Sequence, residues 1–225
     1  GDIDLCIRPE EYEAAVEVKN GAEARRYPID LHKGFDRLDE SLADEVFARS
    51  QTVKIGDVEA RVPGPEDHLR ILCLHTLRHG VIRPVWLCDI AVALESKPED
   101  FDWDLCLGKN SRKRDWIASA IGLAHRLLGA NVGEVGLERR DLPRWLTPTV
   151  IKQWGIRQKS QGLRTPMAEV MRRPSNLPAA IWSRWPNPIE ATVDINGSFN
   201  EWPRLPFQLG DCVARTARFL FQRKE

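Results

Sequence analysis

Asp2 and Asp4 lie in the run GDIDLCI, two acids with a single isoleucine between them. Side chains alternate between the two faces of a β-strand, so residues two apart project together. A strand here puts both carboxylates on one face, a like-charged pair that a cation would relieve. A third acid, Asp30, sits in YPIDLH between Ile29 and Leu31. If that segment is a second strand beside the first, Asp30 converges on Asp2 and Asp4. Three carboxylates around one point suit a hard, oxygen-seeking ion, and Mg2+ completed by substrate phosphates is the fitting choice, with Mn2+ as its substitute. Two such ions clamp an in-line displacement at phosphorus, one at the attacking oxygen and one at the leaving group. The bland alternative places Asp2 and Asp4 on the solvent face of an edge strand and Asp30 at a strand end.

Three histidines, His68, His75 and His79, fall with Leu72 on one helical stripe. His75 and His79 have the i,i+4 spacing of a zinc-binding pair, but Thr76 stands where the glutamate of HExxH belongs. The His-Asp dyad of an HD-type phosphohydrolase is also absent from the sequence. On their spacing alone these histidines cap or bond neighbouring backbone in a structural helix. Asp89 is the acid of the apolar run PVWLCDIAVAL, and a charge in such a segment needs a partner. His75 or His79 would supply one, giving a structural pair; the sharper alternative makes Asp89 a general base toward an acceptor hydroxyl. Residues 151–184 carry a run of lysines and arginines against one acid, Glu169, with Trp154 and Trp182 interleaved and Trp185 just beyond. Together with KNSRKRD at 109–115, that run is either an anionic-acceptor surface or a set of solvated helix faces.

The elements that must position these residues follow from periodicity. RPEEYEAAVEV starts on Pro9 and predicts a short helix after the first strand. LDESLADEVFARS spaces Leu38, Leu42 and Val46 as a helix does, and TVKIGDVEARV predicts a hairpin around Gly56-Asp57. From Pro65 the pattern turns helical. PEDHLRILCLHTLRHG and PVWLCDIAVALES are capped helices, and a third long helix runs to Gly129. Shorter helices are expected around 148–160, 166–172 and 178–184, then an irregular stretch from Trp185, then a closing helix over LGDCVARTARFLFQRK. This is an α+β chain, with an α/β core at 1–64 and a mainly helical region at 65–225 that completes a cleft.

Composition narrows the class further. The chain has 225 residues, with 33 Lys+Arg against 33 Asp+Glu, so no net field recruits nucleic acid or an anionic membrane. No apolar run approaches the ~20 residues of a membrane helix. The five cysteines are scattered without a CxxC pair, the pattern of reduced, buried thiols in a cytoplasmic protein.

GDIDLCIRPE, YPIDLH, LCLHTLRHG and WLCDIA, in that order, resemble the uncharacterised bacterial nucleotidyltransferase family of the polymerase-β superfamily. The likeness is strongest over roughly the first hundred residues. It implies a polymerase-β-like core, a small mixed sheet with flanking helices, in which Asp2, Asp4 and Asp30 hold the metals. It implies transfer of a nucleoside monophosphate from an NTP, with ATP the first candidate, to an acceptor hydroxyl with release of pyrophosphate. The acceptor stays open between a small molecule, a peptide or protein, and an RNA end. The same resemblance makes His32, His75, Arg78, His79, Arg83 and Asp89 substrate-binding candidates, with Arg78 or Arg83 near phosphate. The superfamily's Gly-Gly or Gly-Ser turn, which holds the triphosphate, belongs upstream of Asp2. The rival is a non-catalytic nucleotide-binding or interaction module that keeps the fold.

Overall fold

In the computed structural model, residues 3–34, 43–133, 141–155 and 184–222 are described. Strand β1 (Ile3–Ile7) is followed by a 3-10 turn at Pro9–Glu11, helix α1 (Tyr12–Lys19), a second 3-10 turn at Ala24–Arg26, and strand β2 (Ile29–Lys33). Parallel neighbours need a crossover connection, and α1 supplies it. The pair runs parallel with Asp4 opposite Asp30 and Cys6 opposite His32. Asp4, Cys6, Asp30 and His32 therefore share one face, and Ile3, Leu5, Ile29 and Leu31 share the other.

Helix α2 (Ala43–Arg49) precedes an antiparallel hairpin of β3 (Gln51–Ile55) and β4 (Val58–Val62). Gly56 takes a φ of 62° at the first central position of the two-residue loop, as the predicted Gly56-Asp57 turn requires. The start of the LDESLADEVFARS helix lies outside the described residues; its end is α2. Three contacts make α2 a hub. Arg8 at the end of β1 pairs with Asp44 and stacks on Phe47, Arg61 of β4 donates to the Phe47 carbonyl, and Arg49 grips Asp67.

The helical part comprises α3 (Pro65–Arg78), α4 (Pro84–Glu95), α5 (Trp103–Leu107), α6 (Ser111–Leu128), α7 (Leu146–Gly155), α8 (Pro188–Asp194) and α9 (Leu205–Gln222). α6 is the axis of the core, with Trp116, Ile117, Ile121 and Leu123 buried along it against α3 and α4. Asn110 caps its start by accepting from the Arg112 and Lys113 backbone N–H groups, and Gly129 at φ 73° ends it. α3 closes similarly: the Gly80 N–H bonds Leu77 and the Val81 N–H reaches back to Thr76, with Gly80 in the left-handed region. Both stops had been read from their glycines. Leu69, Leu77, Leu87, Ile90 and Ile189 complete the fully buried interior.

Four expectations change. The stretch from Trp185 is not wholly irregular: Asn187 caps Ile189 and Pro188 opens α8, an Asn-Pro start that the surrounding Pro and Gly obscured. α5, capped by Asp102, was not anticipated. Of the cysteines only Cys73 and Cys106 are buried; Cys6 and Cys212 are half-buried, Cys88 is exposed, and all are free thiols. KNSRKRD forms the capped first turns of α6, with Lys113 buried and Arg114 paired to Asp104. The helices expected at 166–172 and over most of 178–184, and most of the basic run at 151–184, lie outside the described residues. Trp154 from that run faces inward, its indole donating to the Val81 carbonyl. Among the described residues no helix is long and apolar enough to cross a membrane.

Candidate functional site: the strand carboxylates

Two rules of strand geometry assemble the site. Parallel register sets Asp4 directly opposite Asp30, and alternation turns both toward the face that carries His32. Ligand atoms of Asp4, Asp30 and His32 all lie within 4.8 Å of one another, the sole such metal-compatible group found among the described residues. Asp2 lies outside the described residues. Asp4 and Asp30 have side chains 61% and 57% exposed, so an arriving ion meets them without a path through the core.

The repulsion between the carboxylates is met first by an imidazole. His32 Nε2 lies 2.8 Å from Asp4 Oδ1 and 3.8 Å from Asp30 Oδ2. A carboxylate only accepts, so the bonded Nε2 carries the hydrogen. Sequence parity already put His32 on the Asp30 face, but its bond to Asp4 depends on strand register, which no single segment encodes. Cys6 shares the face, and burial followed by the Asp4 charge pushes its thiol up to about 11, so it stays protonated and uncharged.

The donor set fits a divalent cation. Two oxygens on one Mg2+ at about 2.1 Å are about 3.0 Å apart when adjacent and about 4.2 Å when opposite, so the exposed Asp4 and Asp30 side chains would swing inward to share an ion. The pair of carboxylates also suits Mn2+.

Of the histidine stripe, His68 lies in the first turn of α3, and His75 and His79 lie at its C-terminal end. His75 and His79 have ring centroids 4.5 Å apart, and each packs on Trp86 of α4, at 5.2 and 5.4 Å. Burial lowers the pKa of both, so they are neutral near pH 7. His75 also feels Asp4, which favours its charged form, and His79, His32 and Arg78, which oppose it. That coupling brings the α3 end into electrostatic range of the strand carboxylates. Arg78 and Arg83 are exposed, and the Arg83 guanidinium sits 5.3 Å from the Trp86 ring centroid.

Asp89 does not pair with His75 or His79. It lies on the exposed stripe of α4 with Val85, Cys88 and Val92, and the histidine whose charge it favours is His68. The apolar run suggests that its acid needs a partner, but a face in contact with water needs no counter-charge.

A shallow cavity of about 410 Å3 lies elsewhere, lined by Glu190, Asp194, Arg215, Arg218 and Phe219 of α8 and α9. Its charges are mutually engaged. Arg215 bonds Glu190 at 2.9 Å, and its Nε lies 2.8 Å from the fully buried Asp211, an ionic contact without an aligned hydrogen bond. It shares no residue with the strand site, and its network joins α8 to α9.

A family model described as an uncharacterised nucleotidyltransferase matches residues 1–129, which include both carboxylate strands, α3 and α4. No curated protein and no solved structure gives a match. With that model covering more than half of its length, the chain belongs to this uncharacterised nucleotidyltransferase family.

Proposed function

We propose that the protein transfers a nucleoside monophosphate from an NTP, ATP in the first instance, to an acceptor hydroxyl. The observation that carries this reading is the in-register opposition of Asp4 and Asp30 on parallel strands, in a chain of a nucleotidyltransferase family. Asp4 and Asp30, joined by Asp2 on the same strand parity, hold the divalent cations. When bound, these supply Lewis-acid stabilisation of charge developing at the α-phosphate. His32 orients the Asp4 carboxylate and tempers its repulsion with Asp30. The acceptor oxygen forms a bond to the α-phosphorus as the bond to pyrophosphate breaks, and the acceptor proton leaves to solvent or a base. Exposed Arg78 at this end of α3 is the cation for phosphate contact.

The division of labour that fits this chemistry is residues 1–64 as the carboxylate-bearing core and 65–225 as the helices that complete the cleft. The family match runs across residue 64, in keeping with a catalytic unit that needs the first helices.

The test is transfer of label from each of the four α-32P-labelled NTPs to components of a cell extract, with Mg2+ or Mn2+. Wild type should transfer label from one or more nucleotides, and Asp30→Asn should lose at least a hundredfold, as for removal of a group stabilising the transition state. Equal labelling by wild type and Asp30→Asn would defeat the catalytic assignment, and no labelling by either would favour the non-catalytic module.

A further inference from the structure

Among the described residues four tryptophans serve the core, while Trp185 and Trp202 are exposed. Trp103, Trp145 and Trp154 pack against the hydrophobic core and Trp116 belongs to it, with the indoles of Trp116, Trp145 and Trp154 bonded to backbone carbonyls. Trp86 does neither. It is half-buried, yet it stands outside the core and its indole N–H bonds no group among the described residues. What covers it is His75, His79 and the Arg83 guanidinium. The seam between α3 and α4 is already closed beneath by Leu69, Leu77, Leu87 and Ile90, all fully buried. The three rings are therefore a surface cluster in addition to the packing, with His79 and Arg83 exposed at its rim.

We propose that His75, His79 and Trp86, edged by Arg83, form the stacking surface for the nucleobase of the nucleoside triphosphate. This rests on the reading of the strand carboxylates as the metal and triphosphate site. Every nucleobase presents a π-face, and aromatic side chains with arginine bind such faces by stacking and cation–π attraction. Neutral histidines suit the role, since they offer flat rings without a competing charge. His75 feels the charges of Asp4 and His32, which keeps the cluster within electrostatic range of the strand site. A nucleotide is thus held at both ends, by the phosphates at β1 and β2 and by the base at the junction of α3 and α4.

Binding of ATP and of inorganic tripolyphosphate, measured separately by calorimetry with Mg2+, separates the two ends. Wild type should bind ATP roughly tenfold or more tighter than tripolyphosphate. Trp86→Ala should erase that preference while tripolyphosphate binding is kept, and Trp86→Phe should retain most of it. His79→Ala, at an exposed position that the core does not depend on, should reduce the preference too and guards against a Trp86 variant that folds poorly. Equal affinity of wild type for the two ligands, or an equal loss of both in the variants, overturns the stacking surface while leaving the carboxylate site standing. Failure of wild type to bind either ligand overturns both.

Discussion

Asp4 illustrates how much one residue's role depends on a neighbour that sequence distance hides. Period-two alternation made the shared face of Asp4 and Asp30 legible, because hydrophobic flanks identify a strand and parity does the rest. The His32–Asp4 bond was not legible, since it requires the parallel register of two separate segments. The partner expected for Asp89 is not needed, because α4 turns Val85, Cys88, Asp89 and Val92 to water, where a lone charge is solvated. His75 and His79 carry a pH prediction. Burial holds both folded pKa values below the ordinary 6.5, with His68 shifted the same way. The unfolded chain then takes up more protons as pH falls through about 6.5, so stability falls from there down to the folded values. Asp4 opposes the shift at His75, as do Glu190 and Asp194 at His79, whereas His32, Arg78 and Arg83 reinforce it. Urea unfolding should show a lower midpoint at pH 5.5 than at 7.5. The difference should shrink in a His75→Gln/His79→Gln double variant, and an identical difference in that variant would show that the two rings are not its source.

Among the elements, α2 has the largest consequence for its size. It joins β1 through Arg8, the hairpin through Arg61 and α3 through Arg49, so the strands that carry the acids are tied to the helices by few side chains. Asp67 is 4% exposed, and Arg49 meets both of its oxygens, Nε at 2.9 Å and an η-nitrogen at 3.0 Å. Removing one partner of such a pair leaves a buried charge uncompensated, which costs about 3–5 kcal/mol when both are buried. Arg49 is 32% exposed, so water relieves part of the loss and Arg49→Ala should cost roughly 2 kcal/mol. An Arg49→Leu/Asp67→Leu pair should recover much of it. Denaturant midpoints for the single and double variants decide the matter, and a single variant as stable as wild type would remove α2 from this linking role. Elements with a periodic apolar face and a terminal proline or glycine, such as α3, α4 and α6, were legible from sequence. α5 and α8 were not. Both are short, and each is set by an Asp or Asn cap and by packing against a neighbour rather than by a repeating apolar pattern.

Across the whole molecule the interior and the candidate site are segregated. The main buried cluster is helical, running from Leu69 to Phe199, while the two-stranded sheet of β1 and β2 stands with Asp4 and Asp30 open to solvent. Equal numbers of acidic and basic residues leave no net field, so anionic nucleotides would be attracted locally, by bound cations and exposed arginines. The family match covers both regions up to residue 129, the strand acids and the first helices together. That organisation separates stability from function at Asp4. Its exposed carboxylate sits among like charge, so Asp4→Asn should change the unliganded melting temperature little, as surface substitutions do. A ligand that binds only the folded state raises the melting temperature, and for ATP that rise should require the metal held by the strand acids. The deciding measurement is thermal unfolding of wild type and Asp4→Asn, each alone, with Mg2+, with ATP, and with both. Wild type should rise by several degrees only with Mg2+ and ATP together, and Asp4→Asn should melt near wild type yet show no such rise. An Asp4→Asn variant that keeps the full Mg2+-dependent ATP stabilisation would contradict the assignment of the strand carboxylates to metal and nucleotide.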